Sequence, residues 1–200
     1  MKDLKIERID TFSFNTKSKK EAKICIAKYP KGKQASAVMP LLDIAQRQHN
    51  GWLPRVAMDY VADFLEMPRI VVYEVASFYT MYNLSPVGQN HVQICTNLPC
   101  WLRGSDKVVN AIEKNLKIKM GETTEDNLFT LTEVECLGAC VNAPMIQIND
   151  DYYEDLDETS ADILLTEIAN GGVPKVGSRI GRLSCEPING LTTLVNSIKD

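Results

Sequence analysis

The sequence has no long apolar run and no excess of positive charge. Nothing in its 200 residues approaches the roughly 18 consecutive apolar positions that a membrane-spanning helix needs. The formal net charge is −4, so the overall charge does not favour binding to nucleic acid or to anionic lipid. Residues 1–24 lack the apolar core of a signal peptide and carry too many acidic residues for a typical transit peptide. We therefore expect a soluble protein of a reducing compartment, associated with a membrane only through a partner.

The glycine-rich fingerprints of nucleotide-binding folds are also missing. No Gly-x-Gly-x-x-Gly follows a predicted strand, and no Gly-x-x-x-x-Gly-Lys-Ser/Thr loop occurs. Such loops bring backbone N–H groups to a phosphate, so their absence argues against a nucleotide site in this chain. We expect any hydride chemistry linked to this protein to take place on another subunit.

A disulfide framework is not expected, although the number of cysteines is even. Such frameworks belong to short secreted chains that lack a sufficient core, and this chain is long enough to bury one. Four of the cysteines form two local pairs, and the other two stand alone. The six are Cys25, Cys95, Cys100, Cys136, Cys140 and Cys185.

Helices are predicted for the first part of the chain, residues 24–84. Apolar residues recur at helical spacing within residues 35–50, and Pro54 and Pro68 are placed to open two further helices. Short helices separated by Pro and Gly are typical of a small bundle. Residues 1–23 form an N-terminal extension for which we make no structural prediction.

The second part, residues 88–172, alternates strands and helices after a turn-rich linker, "NLSPVGQN". A strand ending in Cys95, a helix, a strand ending in Cys136, a hairpin and a closing helix follow in order. This order predicts a compact α/β sandwich, so the chain as a whole is α+β. Residues 173–200 are rich in Gly, Pro and Ser, and we expect them to form a tail that docks on a partner and lacks a fold of its own.

The paired cysteines are predicted to meet at one edge of the sheet. Cys95 and Cys136 end predicted strands, and Cys100 and Cys140 lie on the loops that follow. If the two strands are parallel neighbours, their carboxyl ends emerge together, where open α/β sheets place their sites. Four sulfurs would then converge without any forced geometry.

The spacing of the pairs favours a [2Fe–2S] cluster as the group they hold. Structural zinc sites usually use tighter Cys-x₂-Cys knuckles, whereas wider Cys-x₄-Cys spacing is known for [2Fe–2S] clusters. Cys95 and Cys100 would bind one iron, and Cys136 and Cys140 the other. Zinc, buried reduced thiols and a redox disulfide are the alternatives. Cys25 and Cys185 have no local partner, so we expect both to be plain thiols.

These motifs resemble a known family. "CTNLPCWLRG" and "EVECLGACVNAPMIQIND" are similar to the thioredoxin-like [2Fe–2S] subunits of NADH:quinone oxidoreductase, respiratory complex I. "MPLLDIAQRQHNGWLP", "VYEVASFYTMYN" and "GRLSCEPINGLTTL" extend the resemblance over nearly the whole chain from about residue 24. It implies a helical bundle followed by a thioredoxin-like sandwich, with Cys95, Cys100, Cys136 and Cys140 as the cluster ligands.

The resemblance also implies partners and a location. The chain would exchange single electrons with FMN on the NADH-binding subunit and would lie beside a second iron–sulfur subunit of the peripheral arm. Its place would be the cytoplasmic side of a bacterial inner membrane or the matrix side of a mitochondrial one. The alternatives are the matching subunit of an NAD-linked hydrogenase or formate dehydrogenase, and a free thioredoxin-like ferredoxin.

The tail would then serve docking alone. Residues from Gly177 onward have few regularly spaced apolar positions, so we expect them to lie across the surface of the flavin-carrying partner. Their removal would weaken binding to that partner and leave the cluster spectrum unchanged.

Pro144 lies between the second cysteine pair and the strand that follows. In thioredoxin-like folds the residue at this junction is often a cis proline, so the resemblance makes a cis bond possible here. A trans proline can also start a strand, and cis X–Pro bonds are a small minority overall. The general rarity of cis bonds therefore favours trans.

Overall fold

The chain divides into two compact units, residues 1–87 and residues 88–200. The structure is a computed structural model, and it describes residues 11–190 and 192–193. The division falls inside the turn-rich linker noted in the sequence. Each unit has its own hydrophobic core. None of the described helices is long and apolar enough to cross a membrane.

The first unit is a bundle of helices whose starts follow the proline positions. Pro54 and Pro68 are the N-cap residues of its third and fourth helices, where a missing N–H costs no intrahelical hydrogen bond. Leu41, Leu42 and Val61 are among its fully buried side chains. The helices are α1 (Thr16–Ile26), α2 (Val38–Gln48), α3 (Arg55–Leu65) and α4 (Arg69–Phe78), with a 3₁₀ turn at Gln34–Ala37 before α2.

Helix α1 was not predicted from the sequence, and it crosses the expected boundary at residue 24. The side chain of Asn15 caps it by accepting a hydrogen bond from the Ser18 amide at 2.9 Å. Phe14 and Ala22 are buried in the core of the bundle. The bundle therefore begins within the N-terminal extension. Residues 1–10 of that extension lie outside the described part of the chain.

The second unit is a mixed sheet with helices packed on it. Its five strands are β1 (Asn90–Cys95), β2 (Phe129–Val134), β3 (Ile146–Ile148), β4 (Asp151–Glu154) and β5 (Gly177–Ser178), in the spatial order β2-β1-β3-β4-β5. β1 runs parallel to β2 and antiparallel to β3, while β3 and β4 form the expected hairpin. The helices are α5 (Leu98–Leu102), α6 (Ser105–Leu116) and α7 (Glu158–Ala169).

The core of this unit lies between the sheet and the helices α6 and α7, which contact each other. Apolar side chains alternate along β1, so Val92 and Ile94 are buried. Ile112 of α6 and Leu164 of α7 are fully buried against the same cluster. A capping box at Asp157 starts α7, since its carboxylate and the Ser160 hydroxyl each accept a hydrogen bond from the other's backbone N–H.

The tail departs from the expectation that it lacks a fold of its own. Residues 177–178 form β5, which adds to the sheet beside β4 in parallel pairing. The Arg182 side chain is buried in an ion pair with Asp155, with 2.6 Å between Nη2 and Oδ1. A two-residue strand is too short to show a hydrophobic period, so pattern analysis missed it. The described tail from residue 177 to residue 186 is part of the second unit.

Helix α7 offers a matched test of this core, because Leu164 is fully buried while its neighbour Ile163 is 55% exposed. We expect Leu164→Ala to lower the free energy of unfolding by about 3 kcal/mol, since it leaves a cavity in the sandwich. Ile163→Ala should change it by less than about 0.5 kcal/mol. Chemical denaturation followed by circular dichroism measures both. Equal losses in the two variants would contradict this packing.

Candidate iron–sulfur site

The four paired cysteines lie at one edge of the sheet, as the parallel pairing requires. Cys95 is the last residue of β1 and faces Val134 in the register with β2, and Cys136 follows two residues later. Cys100 lies on the short helix α5, and Cys140 begins the 3₁₀ turn Cys140–Asn142. The prediction that β1 and β2 are parallel neighbours is confirmed.

Their thiols form one connected group. The sulfur atoms of Cys136 and Cys140 are 3.4 Å apart. Cys95 lies close enough to both Cys100 and Cys136 to shift the pKa values of their thiols, so it links the two pairs. Within the described residues, no three His, Cys, Asp or Glu side chains are placed around a single metal ion. The sulfurs are arranged as two adjoining pairs.

Side chains hold the two cysteine loops beside each other. Thr96 donates to the carboxylate of Glu133, and Asn97 donates to that of Glu135. Tyr152 of β4 donates its hydroxyl proton to the Leu137 carbonyl at 2.9 Å. The loop after β1 is thereby tied to the end of β2, and the loop after β2 is tied to the hairpin.

Gly138 gives the second loop its shape. Its φ is +84°, in the left-handed region that glycine adopts without steric cost. Its N–H points at the Cys136 sulfur, with the nitrogen 3.4 Å away. A Cβ built at Gly138 would meet no atom within 4 Å, so the space beside the loop is open. This arrangement provides a backbone donor to a thiolate, the kind of hydrogen bond that tunes iron–sulfur sites.

The two pairs differ in burial, and the pKa values of Cys100, Cys136 and Cys140 are shifted by different causes. Burial, together with a hydrogen bond to Cys95, raises the pKa of the Cys100 thiol to about 12. The Gly138 N–H is the main cause that lowers the pKa of Cys136, and the shared hydrogen bond with Cys136 raises the pKa of Cys140. Iron ligands bind as thiolates, so binding at Cys100 must release a proton that the apolar surroundings otherwise retain.

Apolar residues surround one side of the site only. Ala143 and Met145 are buried against Cys95 and Cys100, and Leu137 packs at their edge. Leu98 and Trp101 are 63% and 60% exposed. Cys136 and Cys140 are exposed as well. The buried pair is therefore shielded by the core, while the exposed pair faces outward.

These residues fit a [2Fe–2S] cluster. Such a cluster takes four thiolates in two pairs, and the chain supplies them at one sheet edge with a backbone N–H donor beside them. The remaining two cysteines lie elsewhere: Cys25 packs against the helical bundle, and Cys185 is exposed in the tail. The structure thus groups the four cysteines chosen from their spacing and leaves out the other two.

Three features of the site were missed or misjudged in the sequence. Cys100 lies on α5, a helix that begins after Asn97. With only five residues, this helix is too short to show a hydrophobic period in the sequence. The bond between Ala143 and Pro144 is cis, so the expectation of trans was wrong. Arg182 reaches the second cysteine loop from the tail, and no local pattern marked it.

Known proteins support the same class of site. The family described as thioredoxin-like [2Fe-2S] ferredoxin matches residues 22–169. An NADH-quinone oxidoreductase subunit of Rickettsia typhi is 57% identical over 160 residues, which make up 80% of this chain and 94% of that protein. The mitochondrial NADH dehydrogenase [ubiquinone] flavoprotein 2 of Dictyostelium discoideum is 50% identical over 184 residues, 92% of this chain and 74% of that protein.

A solved structure shares the fold at lower identity. A crystal structure of an NAD+-reducing [NiFe]-hydrogenase in the air-oxidized state superimposes with a TM-score of 0.58 at 22% identity. The match covers 66% of this chain and 23% of the hydrogenase chain. The chain therefore spans about a quarter of that protein, and the likeness concerns the fold alone.

The chain belongs to the thioredoxin-like [2Fe–2S] ferredoxin family, because the family match covers well over half of its length. The fold class predicted from the sequence is confirmed by this match and by the mixed sheet with its helices. A [2Fe–2S] cluster is the cofactor of the family, and the four grouped thiols fit it. When bound, such a cluster takes up and gives back one electron at a time.

Metal analysis gives a direct test of the cofactor. We expect the purified chain to be red-brown and to carry about two iron and about two acid-labile sulfide per chain. Colorimetric iron and sulfide assays measure both, with total protein from amino-acid analysis. Stoichiometric zinc without sulfide would contradict the cluster and would favour a structural zinc site.

Proposed function

We propose that this chain is the electron-transfer subunit of the NADH dehydrogenase module of NADH:quinone oxidoreductase. The observation that carries the proposal is the grouping of four thiols at one sheet edge in a chain that is 57% identical to a subunit of that enzyme. The chain has no nucleotide fingerprint of its own. Its part in the enzyme is therefore to exchange single electrons, while NADH gives up its hydride on another chain.

We assign the cluster ligands residue by residue. Cys95 and Cys100 hold one iron from the buried side, and Cys136 and Cys140 hold the other from the exposed side. The hydrogen bonds between the two loops support the assignment, because they keep the pairs at a fixed separation before any metal binds. The Gly138 N–H stabilises the Cys136 thiolate. Burial of Cys95 and Cys100 restricts access of water to that half of the site.

The proposed partners are the FMN- and NADH-binding subunit and a neighbouring iron–sulfur subunit of the peripheral arm. Exposed apolar side chains beside the cysteine loops support a partner at this face. Leu102 and Val141 are each 68% exposed, and Leu98 and Trp101 are exposed as well. The chain would join the membrane-bound complex peripherally, on the cytoplasmic side in bacteria or the matrix side in mitochondria.

One alternative host has a specific observation in its favour. The likeness to the NAD+-reducing hydrogenase shows that the same fold occurs in another NAD-linked enzyme. The higher identity to subunits of NADH-quinone oxidoreductase favours that enzyme. A free ferredoxin needs only a sandwich, and the helical bundle of residues 11–87 is then unexplained.

Single cysteine substitutions test the ligand assignment. We expect Cys95→Ser, Cys100→Ser, Cys136→Ser and Cys140→Ser each to lose or alter the electron paramagnetic resonance signal of the reduced cluster, because serine oxygen is a poorer ligand for iron than a thiolate. Cys25→Ser and Cys185→Ser are the matched controls and should keep the signal. A normal signal in any of the first four variants would remove that residue from the ligand set.

Reconstitution tests the dependence on a flavoprotein. The isolated chain with its cluster intact should not oxidise NADH, even with an artificial electron acceptor, because its sequence contains neither nucleotide-binding fingerprint. Activity should appear after addition of the FMN-binding subunit, measured as loss of NADH absorbance. NADH oxidation by the chain alone would contradict the proposal. So would its failure to co-purify with any flavoprotein from a cell that expresses both.

A further inference from the structure

Arg182 forms a buried ion pair with Asp155, at the end of β4. The arginine side chain is 7% exposed and the aspartate side chain 4%. Nε and Nη2 of the guanidinium meet the two carboxylate oxygens at 3.0 and 2.6 Å, the paired geometry that planar guanidinium favours. Burial alone would raise the pKa of Asp155, but hydrogen bonds from Arg182 and Ser178 hold that pKa below its usual value.

The same guanidinium also binds the loop that carries the second cysteine pair. Nη2 lies 3.0 Å from the carbonyl oxygen of Val141 and 2.8 Å from Oδ1 of Asn142. These are the two residues that directly follow Cys140 in the 3₁₀ turn. Arg182 therefore connects the tail, the end of β4 and the backbone next to Cys140 through one rigid group.

The side chain of Asn142 also links the turn to the tail and to β4. The residue is only 3% exposed, and its side-chain amide donates to the carbonyl of Ser184 in the tail at 2.8 Å. The same amide donates to the carboxylate of Glu154, and the Asp155 N–H donates to the Asn142 carbonyl at 2.8 Å. All hydrogen-bonding groups of the Asn142 side chain are thus used to hold the turn in place.

Core packing does little to fix the side chain of Cys140. The residue is exposed, and the loop before it contains Gly138, which is free of side-chain packing. An exposed ligand on such a loop is held accurately only if the backbone next to it is fixed. The bonds from Arg182 and Asn142 supply that constraint from the far side of the turn.

We propose that Arg182 is a positioning residue for Cys140, holding the 3₁₀ turn so that this sulfur stays where the cluster needs it. The proposal rests on the assignment of Cys140 as a ligand under the proposed function. It gives the tail a role in cluster retention, in addition to any docking role. It also reverses the sequence-based expectation that removal of residues from Gly177 onward would leave the cluster spectrum unchanged.

Arg182→Lys is the sharpest test, because lysine keeps the charge but has a single nitrogen, which cannot reproduce the planar two-nitrogen contact with Asp155 and also reach Val141 and Asn142. With the full chain and its cluster, we expect iron release to an excess of chelator to be about tenfold faster or more, as is usual when groups that orient metal ligands are lost. The reduced cluster should also show shifted g-values. Loss of visible absorbance and electron paramagnetic resonance spectra measure the two effects.

Two controls separate positioning from general stability. Arg179→Gln removes another tail arginine, whose guanidinium donates to the Lys175 carbonyl, and it should release iron at the natural rate with an unchanged spectrum. Leu164→Ala destabilises the sandwich core away from the loop, so it should keep the natural g-values. If Leu164→Ala shifts the spectrum as Arg182→Lys does, or if Arg182→Lys matches the unmodified chain, the positioning role is wrong.

A double variant tests whether Arg182 acts through Asn142. If both residues hold the same turn, Arg182→Lys combined with Asn142→Ala should release iron only slightly faster than the faster single variant. If the two substitutions instead multiply each other's effect on the rate of iron release, Arg182 and Asn142 act independently, and the proposal that they hold the same turn is wrong. The result for Cys140→Ser keeps the two proposals apart. An unaltered signal there refutes the ligand assignment, whereas an altered signal with a normal Arg182→Lys refutes only the positioning role.

Discussion

The parallel pairing of β1 and β2 is the constraint on which the site depends. With Cys95 opposite Val134, both strands end at the same sheet edge and their loops leave side by side. Parallel neighbours cannot be joined by a tight turn, so the chain must cross over through α5 and α6 before β2 begins. The buried face of α6, with Val108 and Ile112, attaches that crossover to the sheet. The same parallel pairing and crossover therefore determine both the packing of the core and the positions of the thiols.

Burial divides the four thiols into two pairs with different physical roles. Cys95 and Cys100 are surrounded by core residues, which fix their positions and make loss of the Cys100 proton costly until a metal takes its place. Cys136 and Cys140 are exposed and are positioned by loop hydrogen bonds. Under the proposed ligand assignment, the buried pair would retain the cluster and the exposed pair would let a redox partner approach. Leu98, Trp101 and Val141 are exposed apolar residues close in sequence to Cys100 and Cys140, so they are available to such a partner.

Most of the second unit could be predicted because the sequence patterns that indicate its strands and its cysteine pairs each lie within a few consecutive residues. The strand alternation that places Val92 and Ile94 in the core is visible within a few residues, and so is the spacing of each cysteine pair. Helix α5 and β5 were missed because elements of five and two residues show no period. The burial of Arg182 depends on Asp155 and Asn142, which are distant in sequence, so composition alone made the tail look unstructured.

The tail contributes to the second unit although the family match does not include it. The family match ends at residue 169, yet the group that fixes the turn after Cys140 is at residue 182. A charged side chain is costly to bury, and a buried ion pair is weak evidence for stability on its own. The burial of Arg182 is better explained by what it connects, since one guanidinium satisfies Asp155 and also holds the backbone of Val141. Because Arg182 binds the turn from the tail, the exposed side of Cys136 and Cys140 stays open to a partner.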